Sequence, residues 1–453
     1  MSAAARTALA RGLGRGLRAT GRGGTSLPGK VLLRLDPHAI ARLARSLPRG
    51  SAVISATNGK TTTAALAAAI LDSAGVSALH NVAGANMAGG IASALLERRA
   101  GVELGLFEVD EFWLDRVAAA LDPQAIVLAN LFRDQLDRYG ELEAIADRWA
   151  ALTARLRARL ILNADDPLIA DLGRDRADTI YFGIEDPTAA SGATLAHASD
   201  STHCRRCGAA YRYERAYIGH LGVYACPGCG AARPAPTVSA HDVRIEGLRG
   251  SSFELRTPLG AAVVRLALPG LYNVYNALAA AALASAFGID AEASAAALAG
   301  ATAVFGRGER VQIDATELSI LLVKNPAGAN EVLRLLGSQP GPHHILAVLN
   351  DRIADGRDVS WIWDADFETL APRVGRATCS GTRAAEMALR LKYAGVPTER
   401  IAVAPALDTA LDTALEAAAG GELYALPTYT AMLALRELLA RRGHVASSWQ
   451  ARR

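Results

Sequence analysis

Lysine is almost missing from this chain of 453 residues. Only Lys30, Lys60, Lys324 and Lys392 occur, and every other strongly basic side chain is arginine. Alanine is abundant, so the scarcity reads as a compositional bias of the coding sequence, and each retained lysine carries more information than usual. Cysteine is scarce too, with four of the five thiols gathered between residues 204 and 229. Thiols so few and so clustered exclude a disulfide framework and point to metal in a reducing compartment. Long hydrophobic runs are absent: the longest, Ala277 to Ile289, is broken by Ser285 and is too short to span a bilayer. The first 30 residues lack an apolar core segment, so no secretory leader is expected. Internal repeats and long low-complexity linkers are also lacking, which excludes solenoid and disordered architectures.

Half of the residues are hydrophobic and the formal net charge is only +3. That balance suits a soluble globular enzyme and excludes a disordered tail or a general nucleic-acid binder. The length requires two or three domains. Charge is uneven, since residues 1–50 set ten basic side chains against one acid, Asp36. Such a start imitates a transit peptide and could rest on an anionic membrane surface. The favoured reading is a solvated helix leading into the first domain.

Ala52–Ile54 reads as a buried strand and Lys60 to Asp72 as the helix after it. Further strands are predicted near Leu104–Val109, Ala125–Asn130 and Leu160–Asn163, with helices between them, the alternation of a doubly wound α/β domain. Residues 200–235 interrupt this pattern. An Ala-rich helix resumes over Ala277 to Phe287, and a second α/β series follows from about residue 312. Its predicted strands are Ser319–Val323, Ile345–Leu349, Ile401–Val403 and Leu423–Leu426. The expected division is a basic segment 1–48, a nucleotide-binding domain 49–311 with an insertion at about 200–235, and a domain 312–453.

Two motifs carry chemistry. Ser55-Ala56-Thr57-Asn58-Gly59-Lys60-Thr61-Thr62-Thr63 lies between strand and helix, where a P-loop must sit. Backbone N–H groups from Thr57 to Thr62 and the helix start can cradle phosphates. Lys60 would neutralise the β/γ-phosphates and Thr61 would ligate Mg²⁺. The second motif is Cys204-x2-Cys207 and Cys226-x2-Cys229, each pair followed by a glycine, Gly208 or Gly230. Four thiolates at this spacing suit a closed tetrahedral Zn²⁺ site with no open catalytic position. So short a segment cannot fold on its own core, whereas structural zinc contributes about 10–16 kcal/mol. Cys379 stands apart and reads as a small buried side chain.

The wording Thr57-Asn58-Gly59-Lys60-Thr61-Thr62 resembles the Mur ligases, which add amino acids to cell-wall precursors. Further stretches agree in the order of that family: Glu108-Val109-Asp110-Glu111, Asn130…Asp134-Gln135…Asp137…Gly140, Asn163-Ala164-Asp165-Asp166, Tyr272-Asn273-x2-Asn276 and Gly306-Arg307-Gly308-Glu309. Gln135 replaces a family His, and no lysine lies between residues 61 and 323, where most members carry a carbamylated one. Both departures weaken the case for a stock amino-acid-adding ligase. The four-cysteine insertion, Lys324-Asn325-Pro326-Ala327-Gly328 and the stretch Asn350-Asp351…Asp364 resemble the MurT-type family, the synthetase subunits of lipid II isoglutaminyl synthases.

That resemblance implies an α/β fold: a Mur-ligase-like P-loop central domain, an inserted four-cysteine zinc ribbon and a C-terminal Rossmann-like α/β domain. It implies ATP-dependent amidation of the D-glutamate α-carboxyl in the lipid II stem peptide, through an acyl phosphate. The place would be the cytoplasm, at the inner face of the cell membrane. ATP, Mg²⁺ and structural Zn²⁺ are the implied cofactors. Ammonia would come from a GatD-type glutaminase partner, and no nucleic acid is expected. Glu108 would join Thr61 on Mg²⁺, Asn273 would hold the adenine and Arg307 would approach the phosphates. Asp358 would orient a His of the partner. Spacing alone does not choose it over Asp351, Asp355 and Asp364; the resemblance does. Two other readings are a stand-alone Mur-like ligase, weakened by the missing lysine, and a nucleotide-dependent module whose ribbon grips nucleic acid. The latter is weakened because no basic tract accompanies Arg205, Arg206, Arg212 and Arg215.

Overall fold

Strands whose every side chain is buried form the centre of the first sheet, as parallel strands covered by helices on both faces must. The computed structural model describes residues 2–19, 26–81, 84–134, 142–193, 195, 199–302 and 307–445. In chain order the first body holds β1 (Ser51–Ser55), β2 (Ala78–His80), β3 (Leu104–Glu108), β4 (Ala125–Leu128), β5 (Arg159–Asn163), β6 (Ile180–Ile184), β7 (Arg212–Ile218), β8 (Leu221–Ala225), β9 (Val238–Ile245), β10 (Ser251–Thr257) and β11 (Gly260–Leu266). Nine of them form one sheet in the order β11-β10-β9-β6-β5-β4-β1-β3-β2, and β7 and β8 form a separate hairpin. β1 lies between β3 and β4 in parallel register, so the loop after β1 opens at the carboxyl edge of the sheet.

The helix Lys60–Ser73 follows that loop directly. Against it lies Leu271–Ala286, whose buried alanines leave little side chain between the two axes. This close approach brings Asn273 and Asn276 to the P-loop. The basic N-terminal stretch is more than a solvated lead-in. Its helix Leu27–Leu35 packs on Ala88–Leu96, where a Cβ on Gly29 would stand 1.9 Å from the Gly89 carbonyl oxygen. Leu32, Ala39 and Ile40 are buried there.

The second body contains β12 (Arg307–Ile313), β13 (Thr316–Leu321), β14 (His343–Val348), β15 (Val374–Ser380), β16 (Ile401–Val403) and β17 (Glu422–Pro427). Their order is β12-β13-β17-β14-β15-β16, parallel except for β12. This sheet therefore begins at Arg307, inside the segment that includes the expected boundary. Among the described residues, no helix is long and apolar enough to cross a membrane. Gln135, Asp137, Gly140, Gly306 and the side chain of Arg307 lie outside the described residues.

Candidate active site

Gly59 precedes the helix Lys60–Ser73 with φ +86°, and a Cβ there would stand 2.0 Å from Asn276 Oδ1. Only glycine meets both conditions. The loop is tied to its neighbours by side-chain bonds. Asn58 N donates to Asn130 Oδ1 at 2.9 Å and Asn130 Nδ2 returns a bond to the Asn58 carbonyl at 3.1 Å. Thr63 Oγ1 donates to Asn276 Oδ1 at 3.2 Å, Asn276 Nδ2 to Asn273 Oδ1 at 3.0 Å, and Asn273 Nδ2 to the Pro269 carbonyl at 2.8 Å. Asn273 is thus an anchored wall residue.

Lys60 is buried and donates to Glu111 Oε2 at 2.8 Å and to the Ala56 carbonyl. Burial alone would lower its pKa. The attraction of Glu111, Asp110 and Glu108 outweighs burial, raises the pKa and keeps the ammonium charged. Thr61 Oγ1 donates to Glu108 Oε2 at 2.8 Å, and Glu108 is 4% exposed. A hydroxyl and a buried carboxylate oxygen at the mouth of a P-loop are the hard donors that Mg²⁺ takes.

The second body reaches this loop. Lys324 Nζ donates to the Thr57 carbonyl at 3.1 Å and pairs with Asp134. Burial pushes the Asp134 pKa up and Lys324 opposes it. Asn58 and Asn325 exchange amide bonds, Asn58 Nδ2 to Asn325 Oδ1 at 3.3 Å and Asn325 Nδ2 to Asn58 Oδ1 at 3.1 Å. Asn325 Oδ1 also caps the helix Pro326–Ser338 by accepting from Gly328 N at 2.9 Å. Glu111, Asp134 and Asn325 received no role from sequence. The rarity of lysine and the Lys324-Asn325-Pro326-Ala327-Gly328 stretch both pointed at Lys324, without giving it a contact.

Between the bodies lies a cavity of about 320 Å³. Thr57, Asn58, Gly59, Lys60, Thr61 and Thr62 line one part; Ile218, Leu221, Tyr272 and Val332 line an apolar part. Glu331 also faces it, 7% exposed, with Arg334 Nη2 at 3.1 Å from Oε1. Burial raises its pKa to about 7, against the pull of Arg334. A raised carboxyl favours the folded state below the unfolded value and loses that advantage as pH rises towards the folded one. Stability should therefore fall by up to about 3 kcal/mol between roughly pH 4.5 and 7 on account of this group. Glu331→Gln should remove that part of the slope, measured as the variant-minus-wild-type difference in urea melts at about pH 5 and about pH 8. An unchanged difference would mean that Glu331 is ionised throughout.

The four cysteines come together elsewhere. Their sulfurs lie within 4.8 Å of one another, Cys204–Cys229 at 3.6 Å and Cys207–Cys226 at 3.4 Å. Tetrahedral Zn–S bonds of about 2.3 Å place sulfurs about 3.8 Å apart, so the set fits a zinc ion. Each knuckle turns on its glycine: Gly208 N donates to the Cys204 carbonyl and Gly230 N to the Cys226 carbonyl, at 2.8 and 3.0 Å, with φ of +74° and +72°. Cys379 is buried in the second body, and burial pushes its thiol up to about 12.

Asp358 lies on the surface of the second body, away from the cavity lining. Its Oδ1 accepts from Ser360 N at 2.8 Å, and that bond holds its pKa below the usual carboxylate value. The neighbouring acids are engaged within the chain. Asp351 pairs with Arg383 at 2.8 Å, Asp355 is buried and accepts from Thr430 N at 2.7 Å, and Asp364 faces Arg133 at 3.5 Å.

Comparison with known proteins agrees with this geometry. The family model for the Mur ligase middle domain matches residues 54–224, and that for the MurT ligase C-terminal region matches residues 322–432. A pseudomurein peptide ligase type C from Methanothermus fervidus superposes with a TM-score of 0.68 at 25% identity, over 88% of this chain and 80% of its own. MurF from Thermotoga maritima in complex with ADP superposes at 0.64 and 15% identity, over 92% and 85%, a likeness of fold. Fold and P-loop site together define an ATP-dependent ligase of the Mur type. The lipid II isoglutaminyl synthase (glutamine-hydrolyzing) subunit MurT of Streptococcus pneumoniae is 36% identical over 92% of this chain and 93% of its own. The corresponding subunit of Staphylococcus aureus is 32% identical over 94% of both. The chain belongs to the MurT family.

Proposed function

We propose that this ligase amidates the α-carboxyl of D-glutamate in the lipid II stem peptide to give D-isoglutamine, in peptidoglycan biosynthesis. The observation that carries the reading is a P-loop cleft lined by Thr57 to Thr62 and Glu108, in a chain similar over nearly its whole length to MurT subunits. A carboxylate resists nucleophiles, so the γ-phosphoryl group of ATP is transferred to it; ammonia then displaces phosphate from the acyl phosphate. The chain's task is positioning and charge neutralisation. Lys60 exchanges Glu111 for the phosphates, the N–H groups of Thr57 to Thr62 cradle them, and Arg307 approaches them. Asn273 and its partner Asn276 border the adenine. Thr61 and Glu108 would hold Mg²⁺, which supplies charge neutralisation between the phosphates.

The nitrogen comes from glutamine through a separate GatD-type subunit. The chain's one thiol outside the cluster, Cys379, is buried with a raised pKa and is unsuited to glutamine hydrolysis. Asp358, exposed and ionised, serves as the residue that orients the partner's His. In this reading the C-terminal body is Rossmann-like and the cysteine insertion is a zinc ribbon, and the enzyme works in the cytoplasm at the inner membrane face. The deciding assay combines lipid II, ATP and the purified chain, with and without the glutaminase, using glutamine or ammonium, with mass detection. Amidation from either source, glutamine use requiring the partner, supports the reading; none from either source rejects it. Zinc is expected at one ion per chain by elemental analysis. Cys226→Ser should drop it below stoichiometric and lower the melting temperature; full metal retention would reject the four-thiolate site.

A further inference from the structure

The cysteine insertion looks peripheral in sequence, yet its hairpin reaches the cavity. β7 begins a few residues after Cys207, and β8 ends one residue before Cys226. Both strands spring from the knuckles, and their far ends carry Ile218 and Leu221, which line the cavity. Both side chains belong to the core cluster that includes Tyr275 and Leu271 of the Asn273 helix. A two-stranded hairpin is marginal in water by itself, so something must fix it at each end.

The tip is fixed by buried contacts. His220 is fully buried, packs on Phe132 with ring centroids 4.9 Å apart, and has Nε2 3.4 Å from Asp166. Phe132 N in turn donates to Thr57 Oγ1 of the P-loop at 3.1 Å. Gly222 N donates to the Asp165 carbonyl at 2.9 Å, and Arg334 Nη1 of the second body to the Tyr217 carbonyl at 3.0 Å. Behind the cysteines, Arg233 Nε bonds Asp165 Oδ1 at 2.5 Å, while Tyr275 OH donates to Asp165 Oδ2 at 2.7 Å. One buried carboxylate therefore joins the end of the insertion to the helix of Asn273 and Asn276.

We infer that the hairpin tip is part of the nucleotide site: Ile218 and Leu221 form the apolar wall against the nucleoside, and metal at the cysteines holds that wall in place. Apolar side chains contribute nothing to a phosphate but gain by covering a base and ribose. This rests on the ATP-cleft reading above.

Binding tests it without turnover. In the zinc-loaded chain, the double variant Ile218→Ala/Leu221→Ala should weaken ATP roughly tenfold or more, while tripolyphosphate affinity and zinc content stay as in wild type. Equal ATP affinity, or an equal loss for tripolyphosphate, would overturn the inference. Photolabelling of the unaltered protein with 8-azido-ATP covers the case of a variant that fails to fold. The label is expected on the peptide spanning Ile218 to Leu221, and label confined to other peptides counts against the wall. Chelation of the metal should lower ATP affinity and zinc should restore it; ATP affinity indifferent to chelation would reject the metal link. If wild type itself does not bind ATP, the cleft reading fails rather than this one.

Discussion

Asp358→Asn is expected to abolish glutamine-driven amidation and to leave ammonium-driven amidation at the wild-type rate. An acid that orients a catalytic His contributes up to about 10⁴ in rate. The structure makes the substitution clean. Asp358 is exposed, and its Oδ1 accepts from Ser360 N at 2.8 Å. The Asn carboxamide oxygen can accept the same bond, so the turn survives and the charge alone is lost. Asp355→Asn is the contrasting control: Asp355 is buried and accepts from both the backbone and the hydroxyl of Thr430, so its loss should weaken the second body and both activities together. Initial rates with the two nitrogen sources, at saturating ATP and partner, separate the cases. A parallel loss with both sources in Asp358→Asn would reject its role in orienting the partner's His.

Lys60→Ala should fail twice. Loss of the phosphate cation should lower kcat/KM by on the order of 10³. It also strands Glu111, whose carboxylate sits 2.8 Å from Lys60 with 9% side-chain exposure, and breaking such a buried pair costs about 3–5 kcal/mol. The two effects separate in Lys60→Met/Glu111→Gln, where the stem stays filled and neither charge remains. That double variant should recover most of the stability in denaturant melts and none of the activity. Recovered turnover would mean that Lys60 serves the fold and not the phosphates.

Legibility followed sequence distance. The P-loop was readable because strand, turn and helix are contiguous, and Gly59 announces its turn locally. The cysteine cluster was readable because two short spacings encode it. The Lys324–Thr57 and Asn58–Asn325 contacts were not, since each spans 267 positions and depends on how two sheets dock. Glu111 lies inside the Glu108-Val109-Asp110-Glu111 motif, but its pairing with Lys60 needs β3 beside β1. β10 alternates buried and half-buried positions over residues 251–255, but as part of an antiparallel flank it lacks the continuous buried run that marks the central parallel strands. The hairpin tip was concealed by composition: residues 200–235 offer little aliphatic material, and the few such side chains include Ile218 and Leu221, which enter the main core.

The scarcity of lysine also gives this molecule an unusual chemical footprint. Of its four ε-amines, those of Lys30 and Lys392 stand on the surface, while Lys60 and Lys324 converge on the Thr57 carbonyl from opposite bodies. An amine-directed reagent therefore meets two outer reporters and two inner ones. The outer pair calibrates the dose within the same sample, and the inner pair reads how tightly the two halves of the cleft are shut.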